Sequence, residues 1–232
     1  VDILKNILDT EVKFEYTILR QTNKGAAEAR KTGIKNSSTE YIMIYDCDDS
    51  ISDDYIECFY TTYLTHRDAD IILPNALIQT EDKSWYEFKF YSDNTILKPM
   101  ECLKNSINGW KIHGWFCARK DIFLNSYEDY KKFNPKAENF INNDEVITRL
   151  NFHNSNLVVK SSAIYYYCFN QQSTTKKINQ MSYLQINNAL IIDELFSNLP
   201  DLYYETKLEL LNTIWGRFRF KQIHKNKLKN LD

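Results

Sequence analysis

Paired cysteines are missing from this sequence. Its five thiols, Cys47, Cys58, Cys102, Cys117 and Cys168, are scattered and odd in number, with no CxxC pair to suggest zinc. Reduced thiols in a cytoplasmic protein are the simplest account. No apolar run approaches the roughly 20 residues of a membrane span, no signal peptide is recognisable, and no internal repeat is apparent. Neither sign of charge is in excess. Lys and Arg number 29 against 31 Asp and Glu, a formal net charge of −2, so nothing global argues for nucleic acid. What is present is ordinary globular material, 43% hydrophobic and 26% charged over 232 residues, enough for one large domain or one domain plus an appendage. The 16 tyrosines suit core packing, with sugar-facing surfaces as the alternative. The chain opens on Val1 rather than Met, as a fragment, a processed chain or the ordered part of a longer protein would.

One stretch stands out, Tyr41-Ile42-Met43-Ile44-Tyr45-Asp46-Cys47-Asp48-Asp49. An apolar, β-prone run ends in three carboxylates within four positions. In an extended chain residues two apart point the same way, so Asp46 and Asp48 would share one side of a strand end. Such an array repels itself unless a cation or strong donors compensate it. Magnesium or manganese, with oxygen ligands and a bound diphosphate, is a natural partner. The plain alternative is a polar loop after a strand.

The surrounding pattern is α/β. Asp2 to Leu8 has the spacing of a short helix, and Phe14 to Leu19 alternates as a strand does. Ala26 to Lys35 is a helix rich in Ala, Glu, Arg and Lys. With the strand at 41–45 this predicts a βαβ unit with parallel strands, and open α/β sheets bind ligands at strand carboxyl ends. Ser52 is placed to cap a helix over 53–65. Ile71 to Ile78 is a strand that Pro74 kinks or marks as an edge. Trp85 to Tyr91 is an antiparallel strand, 99–107 a helix, 108–110 a turn, 114–118 a short strand, and Lys120 to Asn125 a helical turn before a loop through Phe140. A helix is expected from Asp144 to His153, with Val146, Ile147 and Leu150 on one face. Strands follow at 157–159 and 163–169, then a polar, mobile stretch at 171–177. From Met181 the pattern is helical, broken at Pro200 and resuming from Leu202 towards Lys229. The basic and apolar residues from Arg217 onward suit peripheral contact with an anionic membrane surface, against a solvated terminus carrying cations at a helix end.

Three stretches in series resemble family 2 glycosyltransferases. Asn23-Lys24-Gly25-Ala26-Ala27-Glu28-Ala29-Arg30 is similar to an N-x-G-x-x-x-A-R element, and Glu40 to Asp49 to a Y-I-x-x-x-D-x-D-D strand end. Asn143-Asp144-Glu145-Val146-Ile147-Thr148-Arg149-Leu150 is similar to the acidic helix start that supplies the base, and Tyr165 to Thr175 is a weaker fourth match. The resemblance covers about residues 12–176. It implies a GT-A fold, a Rossmann-like mixed sheet flanked by helices: 1–100 the nucleotide-sugar half, 101–176 the acceptor half, and 177–232 a helical C-terminal extension. The family's first strand, helix and second strand would lie before Val1.

The resemblance also implies inverting, Mn2+- or Mg2+-dependent transfer from a nucleotide-sugar, a UDP-sugar, to a saccharide or lipid-linked acceptor in bacterial surface-polysaccharide or lipopolysaccharide synthesis. Asn23, Lys24, Gly25, Arg30, Asp46 and Cys47 would lie at the nucleotide-sugar, and Asp48 would ligate the metal. Asn170 stands where relatives offer a metal-binding His, and Cys168 and Lys31 where they have Arg and Asn. Asp144 would be the base, with Glu145 the rival. Asp49, Trp110, His113 and Trp115 would face the acceptor. The chemistry is coherent: a cation stabilises the leaving diphosphate, and a carboxylate takes the proton of the attacking hydroxyl. Two rivals stand beside this reading. One is a glycosyltransferase-like protein that binds without catalysis. The other is a calcium loop over Asp46–Glu57, with Asp46, Asp48, Ser50, Asp54 and Glu57 at ligand positions but Ile51 where the loop needs Gly.

Overall fold

Strand β3, Ile71–Gln79, forms the middle of the molecule. Its first four residues are all buried, as a strand covered on both faces requires. The computed structural model describes residues 5, 8–10, 13–107, 109–171, 173 and 178–228. Within them the other strands are β1 (Tyr41–Met43), β2 (Ser50–Ile51), β4 (Trp85–Glu87), β5 (Ile96–Leu97), β6 (Cys117–Arg119) and β7 (Val158–Tyr167). The sheet is mixed and runs β1-β6-β3-β7-β2, with β4 on β3 and β5 on β7. Among the described residues only β3 and β7 pair in parallel; β1–β6, β3–β6 and β2–β7 are antiparallel.

The helices are α1 (Ala26–Asn36), α2 (Tyr55–Thr65), α3 (Pro99–Ser106), α4 (Lys120–Phe133), α5 (Asn143–His153), α6 (Gln185–Phe196), α7 (Tyr203–Ile223) and α8 (Lys225–Leu228), with short 3-10 turns at Gln180–Leu184 and Pro200–Leu202. One core cluster joins Ile71, Leu73 and Ala118 of the sheet to Phe123 of α4, Ile147 and Leu150 of α5, and Ile191, Ile192 and Phe196 of α6. The first of the C-terminal helices, α6, therefore shares the core of the sheet.

Several expectations are corrected. Residues 14–19 are not a strand: Phe14 is 71% exposed and Leu19 44%. Alternation makes a strand only where a neighbouring ladder accepts its backbone groups, and among the described residues β1 pairs only with β6. The parallel βαβ unit is therefore absent from them. Of the two readings of Pro74, the edge is excluded and the irregularity holds. Pro74 sits mid-strand where the β3–β7 register shifts between Leu73 and Asn75, an irregularity that accommodates its missing N–H. α4 extends to Phe133, through a segment expected as loop, because Ile122, Phe123, Tyr127 and Tyr130 bury one helical face. The strands expected at 157–159 and 163–169 are one strand, β7. Ser52 does not cap α2, whose N-cap is Asp54; its hydroxyl instead accepts from the Ile164 amide of β7 at 3.3 Å. The first helix lies mostly outside the described residues, of which Lys5 and 8–10 are helical. Most of the stretch 171–177 and the end of the basic tail also lie outside them.

Candidate active site

The acidic stretch is a turn rather than a strand end. β1 stops at Met43, and the Asp49 amide donates to the Asp46 carbonyl at 3.1 Å. The three carboxylates therefore diverge, and each meets its own donor. Asp46 accepts from Arg30 Nη2 at 2.9 and 3.2 Å. Asp48 Oδ2 accepts from Asn170 Nδ2 at 2.7 Å. Asp49 accepts from the Tyr165 hydroxyl at 2.6 Å and from the Cys168 amide at 2.9 Å. The repulsion foreseen from the sequence is relieved by donors from α1 and from β7 with the segment after it. Burial pushes the Asp49 carboxyl up, against the pull of these two donors. Asp49 thus ties the turn to β7, and Ser50–Ile51 continues as β2.

Arg30 links this turn to α5. Its Nη1 lies 2.6 Å from Asp144 Oδ2. Burial alone would lower its proton affinity; Asp144 and Asp46 more than offset that and raise it, so the guanidinium is a fixed cation between two carboxylates. Asp144 is in the first turn of α5, where the helix dipole favours negative charge. It is not the cap, because Asn142 holds that position with φ 62°. Ile141 before it also has positive φ, 60°, an uncommon conformation for a β-branched residue. The Ile141 carbonyl accepts from Asn188 Nδ2 of α6 at 2.8 Å, and Asn143 Oδ1 accepts from the Phe140 amide at 3.0 Å. The surroundings thereby hold a strained entry that fixes where Asp144 points.

Glu145 has different partners. Its carboxylate accepts from Asn142 Nδ2 at 2.8 Å and lies 3.6 Å from Arg149 Nη1. Burial raises its pKa, with the Arg149 cation pulling against that. Arg149 is 1% exposed. Its Nη2 reaches the Ser106 carbonyl at 3.0 Å and Glu209 of α7 at 3.3 Å, and its guanidinium sits 4.3 Å from the Trp110 ring centre. The sequence pattern gave Arg149 no role and carried no signal for Glu209.

Arg30, Asp46, Asp144 and Glu145 line a cavity of about 250 Å³ whose walls include Trp115 and Tyr127. Trp115 stacks on Tyr165 of β7, with centroids 5.3 Å apart and planes 4° apart, and on Tyr167 at 4.9 Å. Trp110 and His113 also line the cavity. His113 is buried, with Nε2 3.0 Å from the Pro74 carbonyl and Nδ1 accepting from the Trp115 amide at 3.3 Å. A carbonyl requires Nε2 to donate, which leaves Nδ1 the acceptor and the ring neutral. Burial pushes its pKa down to about 3, so it exchanges no proton near neutrality and instead fixes the segment carrying Trp115. That segment lies hard against α5: a Cβ on Gly114 would come within 2.9 Å of Thr148 Cγ2. Among the other expected residues, Cys47 is exposed, and Asn23 Oδ1 accepts from the Gly25 amide at 3.0 Å. The Asn23–Gly25 bond lies at the entry to α1. Lys24 is also exposed.

Gly25 has φ 88° and ψ 168°, a region essentially reserved for Gly, and a Cβ there would lie 2.8 Å from Asn139 Cγ. Gly25→Ala is expected to cost about 1–3 kcal/mol of stability, measured by urea unfolding. A loss below the resolution of that measurement would mean that the entry to α1 relaxes freely.

The family model for glycosyl transferase family 2 matches residues 1–125. The chain belongs to family 2 of the glycosyltransferases. Two Streptococcus pneumoniae (serotype 4) relatives are similar in part. Glycosyltransferase GlyG is 39% identical over 100 residues, 41% of this chain and 33% of GlyG. Glycosyltransferase GlyA is 31% identical over 85 residues, 37% of this chain and 12% of GlyA. The matched region thus spans a third or less of each relative. Residues 1–349 of S. aureus TarS, solved with UDP-GlcNAc, superpose with a TM-score of 0.60 at 14% identity, covering 93% of this chain and 60% of that one. At that identity the likeness concerns the fold, which is the GT-A α/β fold expected from the sequence. Within this member Arg30 of α1, Asp46 of the turn and Asp144 of α5 meet at the cavity.

Proposed function

We propose that this chain is an inverting glycosyltransferase of the hexosyltransferase type. It would move a sugar from a UDP-sugar to a hydroxyl of a saccharide or lipid-linked acceptor in cell-surface polysaccharide synthesis, capsule or lipopolysaccharide. The observation that carries the reading is Arg30, which joins Asp46 and Asp144 at the mouth of an aromatic cavity. A guanidinium held by two carboxylates has a ready alternative partner in a diphosphate, which it binds through paired N–H donors. Donor entry at Arg30 would free Asp144 Oδ2 to face the acceptor hydroxyl and take its proton as the hydroxyl attacks the anomeric carbon. One-step inversion needs that one base and no covalent nucleophile. Asn23, Lys24, Gly25, Arg30, Asp46 and Cys47 would serve the nucleotide-sugar, and Asp49, Trp110, His113 and Trp115 the acceptor side. Among these, Trp115 offers a sugar an aromatic face, while Asp49 and His113 hold the walls in place. The nucleotide-sugar complex of TarS supports the donor class.

The residues also suit a divalent cation. Asp48 is exposed and paired with the Asn170 amide, which with its amide turned would offer a second hard oxygen. Among the described residues no group of three or more His, Cys, Asp or Glu could hold a metal by itself. A Mn2+ or Mg2+ ion there would be completed by substrate phosphates and water. Asp48 and Asn170 would hold it, and when bound it supplies charge neutralisation for the departing diphosphate. No helix among the described residues is long and apolar enough to cross a membrane. The basic C-terminal helices would give peripheral contact at the cytoplasmic face of the plasma membrane.

The test is UDP release from a panel of UDP-sugars with saccharide and lipid-linked acceptors. Release is expected with Mn2+ or Mg2+, and is expected to fall to background with a chelator and in Asp48→Asn, with folding intact. Nucleotide binding without turnover on every acceptor would favour the non-catalytic reading. A thermal shift with calcium alone would favour the calcium module.

A further inference from the structure

The C-terminal helices leave a second, different cavity. A groove of about 640 Å³ opens between the 180–186 segment and the C-terminal half of α7 with α8. That volume is in the range of small-molecule sites. Ile186, Ile214 and Phe220 line it, with Arg217, Lys221 and Lys225, and no lining residue is acidic. At one end Gln180 Nε2 donates to the Leu228 carbonyl at 3.0 Å. Beside it α7 shows solvent a stacked pair, Trp215 (59% exposed) and Phe218 (51%), centroids 5.7 Å apart, and Ile223 is 69% exposed.

The charge is one-sided. Between residues 210 and 228 there are Arg217, Arg219, Lys221, Lys225 and Lys227 and no carboxylate. On α6, Asp193 is already paired with Lys207 at 2.6 Å, in the first half of α7. Cations and large apolar groups alternate along Arg217-Phe218-Arg219-Phe220-Lys221, so this is not an apolar stripe with a separate solvated face. Water leaves the apolar groups unsatisfied, and the core of a protein interface is depleted of charge. A bilayer interface satisfies both, because apolar groups enter the acyl boundary while cations stay at the phosphates. Exposed Trp is the residue of that depth.

We propose that this groove and the α7 surface beside it seat an anionic phospholipid of a bilayer leaflet, an acyl chain lying in the groove and the headgroup phosphate among Arg217, Lys221 and Lys225. The proposal rests on the membrane contact in the reading above and names its site and ligand class.

The experiment uses the full chain with vesicles of phosphatidylcholine alone, or with one third phosphatidylglycerol, some carrying brominated acyl chains. Binding is expected only to the phosphatidylglycerol vesicles and is expected to weaken with salt. The combined variant Arg217→Gln, Lys221→Gln, Lys225→Gln is expected to bind roughly a hundredfold more weakly. Brominated chains are expected to quench tryptophan fluorescence, and Trp215→Phe to lose the quenched part. Unchanged circular dichroism and unchanged vesicle-free UDP release in these variants distinguish lost docking from lost folding. No binding by the folded wild-type chain would overturn the proposal, as would equal binding to both vesicles or binding without quenching of Trp215. A dimer that the combined variant dissociates, without vesicle binding, would assign the face to a second copy. Vesicle binding with no turnover on any donor would leave the groove standing and sink the transfer reading; turnover without vesicle binding would do the reverse.

Discussion

Asp144→Asn is expected to lower turnover of the donor by about 100- to 10,000-fold, the contribution of a positioned general base, with little change in donor affinity. The amide is nearly isosteric and keeps an oxygen for Arg30, so the ion pair becomes a hydrogen bond and the cavity mouth keeps its shape. What disappears is the ability to hold the acceptor proton. The neighbouring substitution decides between the two acids. Glu145→Gln keeps Asp144, and the Glu145 carboxylate is directed to Asn142 and Arg149, so a loss under about tenfold is expected. Single-turnover release of UDP with each variant separates chemistry from product release. If Glu145→Gln were the more damaging with folding intact, the proton acceptor would be Glu145 and the role of Arg30 would need to be redrawn.

The sequence was informative where local pattern and final environment agree. Ala26–Asn36 is helical because Ala, Glu, Arg and Lys favour it, and Val146, Ile147 and Leu150 are buried as their spacing requires. Arg30, Asp46 and Asp144 could be singled out because each lies in a short stretch of motif. Pattern failed where a partner decides. Residues 14–19 alternate like a strand, yet no ladder among the described residues takes them up. Tyr127 and Tyr130 suggested a polar loop, but their rings are buried and each hydroxyl has a partner, the Ala27 carbonyl and Asn188 Oδ1. Pro74 suggested a kink or an edge, and only the pairing decides for the irregularity, because the register shift that tolerates it is a property of β7 as much as of β3. Asp46 and Asp48 were expected on one side of a strand, and the turn separated them. The Asp49–Tyr165 bond spans 116 positions and the Arg149–Glu209 pair 60. No window of local sequence reports such pairs.

That last pair leads to the largest expected effect on stability. Arg149→Met is expected to destabilise the fold by about 3–5 kcal/mol, the cost of removing one partner from a buried ionic network. Met fills much of the same space, so little of the loss comes from a cavity. The loss arises because Glu145 and Glu209 keep their partial burial and lose their shared cation, while Trp110 loses the guanidinium above its ring. Adding Glu145→Gln and Glu209→Gln removes the stranded charges and is expected to recover part of the loss, a coupling that a mutant cycle measures directly. The pH dependence has a definite sign. Burial already holds the Glu145 pKa above its ordinary value, and without Arg149 it rises further. The folded state then binds a proton that the unfolded state has released. Stability of Arg149→Met therefore falls as pH rises from the ordinary glutamate pKa, about 4.3, through the raised folded value, and more steeply than in wild type. Urea unfolding across that window tests it, and equal slopes for the two proteins would show that Glu145 does not depend on Arg149. Because Glu209 belongs to α7, the same network connects the helix that carries the basic groove to the acid adjoining Asp144. A change in the seating of α7 would reach the active site through Arg149 first.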